Sequence, residues 1–321
     1  MGEFDLINSY FKRPTRRAVL GGGDDCALLA LSAGHQWAIS TDMLVEGRHF
    51  LSTVDPKLLG HKALAVNLSD LAACGAKPVA FTLALALPRA DPQWAERFSN
   101  GLYEEAETHS CELIGGDTTQ GPLNICITVF GEVPSGKALL RQAAEPGDDI
   151  YISGQVGDAR MALEVFRGQL QISGEAFARC RTRMEHPSPR VALGMALRDI
   201  AHAAIDLSDG LLGDLGHILN RSGYGAQIET RWLEGSAATS DDLLSLSWNR
   251  RLDMALAGGD DYELLFTAPR AMRERIHAAS HDCGVPVTCI GEITEQPGLR
   301  VLDPQGQPLL RRFASFDHFA G

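Results

Sequence analysis

A chain of 321 residues is long enough for two domains of ordinary size, each with its own core. Hydrophobic residues make up 45% and charged residues 22%, the balance of a soluble globular protein, and 29 Lys plus Arg against 41 Asp plus Glu leave a formal charge of −12. Such a surface repels nucleic-acid phosphates and anionic lipid, which excludes both as expected partners, yet it admits anionic substrates wherever carboxylate-held divalent cations reverse the local sign.

The N-terminus, Met1 to Asp5, shows no basic region followed by an apolar block, so no secretory signal is expected. Gln36 to Thr41 reads as a short strand. Asp55-Pro56 opens a helix that runs to about Cys74, with Pro suited to its start and Gly75 to its stop. Val79 to Leu87, between two prolines, reads as a buried strand. Trp94, Phe98, Leu102 and Ala106 give Pro92 to His109 helical spacing. Glu112 to Ile114 is a short strand ending at Gly115-Gly116, and Leu123 to Val133 is a longer one.

Pro134 to Asp149 holds Pro, Gly and charges without an apolar period, which sets domains at 1–137 and 138–321. Beyond it, Ile150–Ser153, Ala203–Leu207, Gly225–Glu229, Tyr262–Thr267 and Val285–Gly291 read as strands. Asp158–Arg167, Pro189–His202, Leu211–Asn220 and Arg270–His281 read as helices. Strands and helices interleave in both halves, so the fold class is α/β (α+β). No stretch approaches the roughly 20 apolar residues a bilayer span needs, so no membrane partner is expected. Seven scattered cysteines are never spaced C-x-x-C, and most sit among apolar neighbours and read as small core residues of a reducing, cytoplasmic setting.

The aspartates fall at glycine-rich or small-residue junctions rather than on amphipathic helix faces. They are Asp24 and Asp25 after Gly21-Gly22-Gly23, Asp42 after Ser40-Thr41, Asp117 after Gly115-Gly116, Asp206 and Asp209 around Ser208, and Asp260 and Asp261 after Gly258-Gly259. Only Asp70 lies inside a helix. Such carboxylates are hard oxygen ligands suited to Mg²⁺, and neighbouring glycines let phosphates approach the backbone. The bland alternative is that Asp and Gly mark turns and caps, as Ser208 or Asp209 would for the helix that follows. Asp70 sits among Ala63, Val66, Leu68, Leu71 and Ala72, so it is expected to be buried, either as a metal ligand or as a cap or salt-bridge partner. Asn67 shares its helix face.

Two apparent motifs fail on context. Gly131-Glu132-Val133-Pro134-Ser135-Gly136-Lys137-Ala138 resembles a P-loop but has Ala138 where a hydroxyl must hold Mg²⁺. Gly21-Gly22-Gly23 lacks the later glycine of a dinucleotide fingerprint.

Several segments together resemble the bacterial thiamine-monophosphate kinases, in the superfamily of aminoimidazole ribonucleotide synthetase and selenophosphate synthetase. They are 23–29, 39–42, 62–73 (KALAVNLSDLAA), 113–119 (LIGGDTT), 204–211 (AIDLSDGL), 258–264 (GGDDYEL) and 316–319. The resemblance implies a two-domain chain whose N-terminal strands form a β-barrel across a homodimer, with ATP in a crevice between the domains. It implies ATP-dependent phosphorylation of thiamine monophosphate to thiamine diphosphate. It assigns Asp25, Ser40, Thr41, Asp42, Asp70, Asp117, Asp206 and Asp209 to several Mg²⁺ ions. It places Gly116, Asp117, Arg141 and Ser208 against ATP, and His49, Asp260 and Phe316 against thiamine monophosphate. Arg141 has a second reading as a surface charge, and Phe316 as tail packing. Gly22, Asp260 and Phe316 depart from the residues common at those positions. No general base is expected, because the acceptor is an already ionised phosphate. The rivals are another ATP-dependent synthetase of the superfamily and a non-catalytic nucleotide- or metal-binding protein. Residues 1 to 20 hold no cysteine, unlike the reactive N-terminal segment of selenophosphate synthetases.

Overall fold

The computed structural model describes residues 2–22, 25–311 and 313. Two compact units are found, Met1–Leu71 with Ala76–Gly136, and Lys137–Gly321 with Ala72–Gly75. Among the described residues no helix is long and apolar enough to cross a membrane.

In the first unit α1 (Glu3–Leu6) and a π-helical turn (Ile7–Phe11) lead to a ribbon of β1 (Ala18–Leu20) and β2 (Leu28–Leu29). A four-stranded sheet follows, in the order β3 (His35–Val45), β6 (Asn124–Pro134), β4 (Lys77–Leu87), β5 (Glu112–Gln120). Its β3–β6 and β6–β4 pairs are antiparallel and β4–β5 is parallel. Alternation decides its two faces. Leu44, Ile125 and Leu85 stand in register and are buried, as are Val129 and Phe81. The next residues along the strands, Thr41, Thr128 and Thr82, share the opposite face. On that second face Ile39 is 59% and Met43 53% exposed.

Helix α2 (Pro56–Ala73) lies against the buried face and is itself buried nearly all round from His61 to Ala73. An all-round apolar helix needs cover on both sides, and α3 (Pro92–Thr108) supplies the second. The two helices touch through glycine: a Cβ on Gly60 would lie 2.0 Å from the Phe98 carbonyl oxygen, and one on Gly101 1.8 Å from that of Lys57. Asp91 caps α3, accepting the N–H groups of Gln93 and Trp94.

The sheet is open, with β3 and β5 at its edges. The barrel implied by the resemblance is therefore not closed by this chain alone. The strand expected over Glu112 to Ile114 is longer in the structure, where β5 continues through Gly115 and Gly116 to Gln120. The reason is close approach: a Cβ on Gly116 would lie 1.9 Å from the Leu83 carbonyl oxygen, so glycine here keeps the strand paired rather than ending it.

The second unit is a six-stranded sheet in the order β12 (Gly298–Leu302), β9 (Gly225–Glu229), β11 (Val287–Thr294), β7 (Asp148–Ser153), β10 (Leu264–Pro269), β8 (Ala203–Asp206). Only β12–β9 is parallel. Strand β7 is buried at every position. Ile150 and Ile152 join one core with residues of α4 (Asp158–Phe166), α5 (Gly174–Glu185), α7 (Leu211–Ser222) and α9 (Trp248–Ala257), while Tyr151 stacks on Phe266 with ring centroids 5.1 Å apart on the other face. The remaining helices are α6 (Val191–Ala196), α8 (Asp241–Leu244) and α10 (Arg273–Cys283). The helix expected over 189–202 is confined to α6, and Asp199 beyond it takes a left-handed φ of 60° that no helix continues through.

Candidate active site

In the first unit, strand β3 presents Ser40 and Asp42 to α2, and α2 returns Asn67 and Asp70. Ser40 Oγ donates to Asp70 Oδ2. The backbone N–H of Asp42 donates to Asn67 Oδ1 at 3.0 Å, and Asn67 Nδ2 donates to the Ala63 carbonyl at 3.0 Å. One face of the last turns of α2 therefore meets one face of β3: the side chains of Ser40 and Asp70 are in direct contact, and the backbone of Asp42 is tied to Asn67 beside them. Asp70 is half-buried, not enclosed as its neighbours suggested.

Thr41 points the other way. Its Oγ1 hydrogen-bonds Thr128 Oγ1 at 2.8 Å on the opposite face of the sheet, as strand alternation requires. Asp25 is exposed in the bend before β2. Gly116 and Asp117 lie on edge strand β5, in register with Leu83 and Ala84, and Asp117 is exposed. His49 follows β3 in a tight turn. Its Nδ1 accepts the Val45 N–H at 3.0 Å, so the neutral ring carries its proton on Nε2.

In the second unit three loops meet at one end of the sheet: 154–157 after β7, 207–210 after β8, and 258–263 before β10. Asp206, the last residue of β8, is 5% exposed and pairs with Leu264. Backbone bonds join two of the loops: Asp260 N–H to the Ser208 carbonyl, Tyr262 N–H to the Leu207 carbonyl, and Leu207 N–H to the Glu263 carbonyl, each at 2.8 Å. Gly259 permits this, since a Cβ there would lie 2.3 Å from the Ser208 carbonyl oxygen. Asp260 and Tyr262 hold left-handed φ values of 70° and 51°, costly for residues with a side chain.

Beneath these loops lies a polar frame. Glu263 takes the Ser153 hydroxyl at 2.6 Å and Arg190 through Nε at 2.6 Å and a second nitrogen at 2.5 Å. Asp261 Oδ1 accepts the Gly157 N–H at 2.9 Å. Burial, then the charges of Asp158, Glu263 and Asp260, push the Asp261 carboxyl well up, against that hydrogen bond. Asp214 in α7 is pushed up to about 7 by burial and by Asp209, although three backbone N–H groups oppose the shift. Carboxylates are thus crowded at this end of the sheet, the environment in which a bound cation gains most.

Arg141 is exposed, and its carbonyl accepts from Ser222 Oγ at 3.3 Å. Phe316 lies outside the described residues. Ser208 and Asp209 do not cap α7 with their side chains; the N-cap is Gly210. Asp214, Glu263 and Arg190 are absent from the candidate site residues of the sequence. The recurrence of Asp and Glu within the same two segments, 204–214 and 258–264, was the available sign.

Family models agree with this two-part layout. Residues 23–133 match the N-terminal domain of AIR synthase related proteins, and residues 145–303 match the C-terminal domain. The thiamine-monophosphate kinase of Salmonella typhimurium is 46% identical over 99% of this chain and 98% of its own length. The crystal structure of thiamine-monophosphate kinase from Stenotrophomonas maltophilia is 43% identical with a TM-score of 0.84, covering 91% of this chain and 92% of that one. A structure of AaThiL complexed with AMPPCP and TMP is 28% identical with a TM-score of 0.77, covering 90% and 89%. The chain belongs to the thiamine-monophosphate kinase family within the AIR synthase related proteins.

Proposed function

We infer that the chain phosphorylates thiamine monophosphate with ATP, giving thiamine diphosphate. The full-length identity to thiamine-monophosphate kinases carries this reading. The acceptor phosphate is ionised near neutral pH, so the residues need not supply a general base. Their task is to bring two polyanions together. Two unit charges about 4 Å apart repel by about 1 kcal/mol in water and several times more in a partly dry site.

Hard oxygen donors on β3, α2 and β5 of the first unit and at the end of β8 in the second fit Mg²⁺ and not a softer metal. We propose Asp25, Ser40, Asp42, Asp70 and Asp117 of residues 1–137, and Asp206 and Asp209 of residues 138–321, as residues that hold several such ions; the hydroxyl of Thr41, turned to the other face of the sheet, is left out of that set. Among the described residues no three His, Cys, Asp or Glu side chains already form a metal-holding group. Mg²⁺ commonly takes only one or two carboxylates and completes its shell with substrate phosphates. Bound there, it would neutralise phosphate charge and favour in-line transfer. Gly116, Asp117, Arg141 and Ser208 are proposed to hold ATP, Arg141 by a bidentate phosphate contact. His49, Asp260 and Phe316 are proposed to hold thiamine monophosphate, with Asp260 supplying charge opposite to the thiazolium and Phe316 a ring face. The exposed face of the four-stranded sheet, with Ile39 and Met43, is the surface we assign to a second copy of the chain, whose strands would complete a barrel.

The decisive assay offers ATP with thiamine, thiamine monophosphate or aminoimidazole precursors and identifies the phosphorylated product. Thiamine diphosphate formed only from the monophosphate is expected, with loss on chelation and return on adding Mg²⁺. ADP release indifferent to the acceptor would leave a plain ATPase instead. Asp42→Ala and Asp70→Ala are expected to lower turnover by roughly a hundredfold or more while circular dichroism is unchanged. Full activity in either variant removes the metal assignment.

A further inference from the structure

The turn that carries Ser208 and Asp209 is held by a carboxylate from outside it. Asp214, one turn into α7, is 2% exposed. Its Oδ2 accepts the backbone N–H of Ser208, of Asp209 and of Gly210, each at 3.1 Å. Consecutive N–H groups converging on one point make a nest for an anion. Here the chain fills that nest with its own carboxylate, so this backbone is not the group left to meet a phosphate. The carbonyl side of the same turn is tied as well, Ser208 to the Asp260 N–H and Leu207 to the Tyr262 N–H, each at 2.8 Å. Gly210, the N-cap, has φ 117° and brings no side chain that could do the same work.

We propose that Asp214 is a positioning residue for the reaction: its buried carboxylate locks the Ser208–Gly210 turn in the one conformation from which Ser208 and Asp209 meet the metal and nucleotide. This rests on the roles given above to Ser208 and Asp209. Asp214 touches neither substrate nor metal and acts through the backbone of the residues that do. A small shift of such a turn is enough to spoil an in-line alignment.

Hydrogen exchange on the ligand-free protein reads the lock directly. Asp214→Ala is expected to speed exchange of the 208–210 amides by at least about tenfold, because each of the three loses its hydrogen bond to the buried side-chain oxygen. Asp214→Asn, whose amide oxygen can accept the same N–H groups, retains most of the protection. In steady-state kinetics the alanine variant raises KM for ATP and the Mg²⁺ requirement roughly tenfold while KM for thiamine monophosphate stays within about twofold, and the asparagine variant recovers most of the loss. A merely structural cap of α7 would lower Tm and the active fraction but leave KM for ATP where it was, and that result overturns the proposal. If the alanine chain fails to fold, Asp214→Ser takes its place, with one short hydroxyl for three donors and the same expected shifts; a normal KM for ATP in it is equally fatal. Ser208→Ala and Asp209→Asn are run beside these. If they change ATP and Mg²⁺ dependence and Asp214→Ala does not, the positioning role falls alone. If they change nothing, the roles of Ser208 and Asp209 fall first.

Discussion

Asn67 joins a helix to a strand with one amide. Its side chain is 1% exposed, and it satisfies both the Asp42 N–H and the Ala63 carbonyl. Leu is close in size but offers no acceptor, so Asn67→Leu leaves the Asp42 amide unpaired at the end of α2. The expected cost is about 1–3 kcal/mol, read as a lower urea midpoint at unchanged slope, and an unchanged midpoint would show that water serves instead. Glu105 plays a similar part between α3 and α2. Its oxygens lie 3.2 Å from His61 Nδ1 and 3.2 Å from His109 Nε2. Burial alone would raise its pKa from the usual 4.5, but the imidazoles of His109 and His61 more than reverse this and bring it to about 2. A carboxyl whose folded pKa is depressed stabilises the protein fully above the unfolded value and loses that contribution as pH falls through the folded one. The window therefore runs from about pH 4.5 down to about 2. Glu105→Gln is expected to lower stability by about 1–3 kcal/mol, the range for hydrogen bonds to a charged group, and to flatten the stability profile across that window. A variant as acid-sensitive as the parent would show that other carboxyls govern acid unfolding.

At the scale of elements, glycines separate what local sequence shows from what it hides. Pro56 and Gly75 bound α2 as their chemistry demands, and Gly75 takes a left-handed φ of 64° after the helix. Gly116 looks like another stop signal, yet it lies inside β5, because the clash it avoids is with Leu83 on a different strand. Gly116→Ala must part the β4–β5 pair and is expected to cost about 1–3 kcal/mol. Because Asp117 is the next residue, the same variant should also raise KM for ATP; thermal melting and a KM series check both, and a neutral variant would show that β5 can shift freely. Helices α5 and α9 escaped the sequence reading for a related reason. In α5 the apolar stripe is thin, and Arg179 and Arg181 sit in ion pairs with Asp242 and Glu185. The Arg181–Glu185 pair has i,i+4 spacing, but the Arg179–Asp242 pair spans 63 positions and leaves no short-range period to detect.

For the whole molecule, two family domains along one chain and a sheet with one exposed face lead to the expectation of a homodimer. Met43→Asp on that face is expected to give a monomer in sedimentation, at a protein concentration where the parent is dimeric. A parent that sediments as a monomer would remove the shared barrel. The extended run Val79–Leu87, the helices opened by Pro56 and Pro92, the acidic junctions and the family resemblance were all legible in the amino-acid order, because sterics, periodicity and turn chemistry act between neighbours. Which side of β3 each residue faces was not. Ser40 and Asp70 are 30 positions apart and Ser153 and Glu263 are 110 apart, and only folding makes them partners. Asp214 shows the limit at short range too: six residues from Ser208, it looks like one more polar residue of a helix until the turn closes onto its oxygen. Local chemistry determined which elements exist and which residues carry charge; the folded backbone decided which of those charges meet, because hydrogen bonding and burial depend on distances that the order of residues does not set.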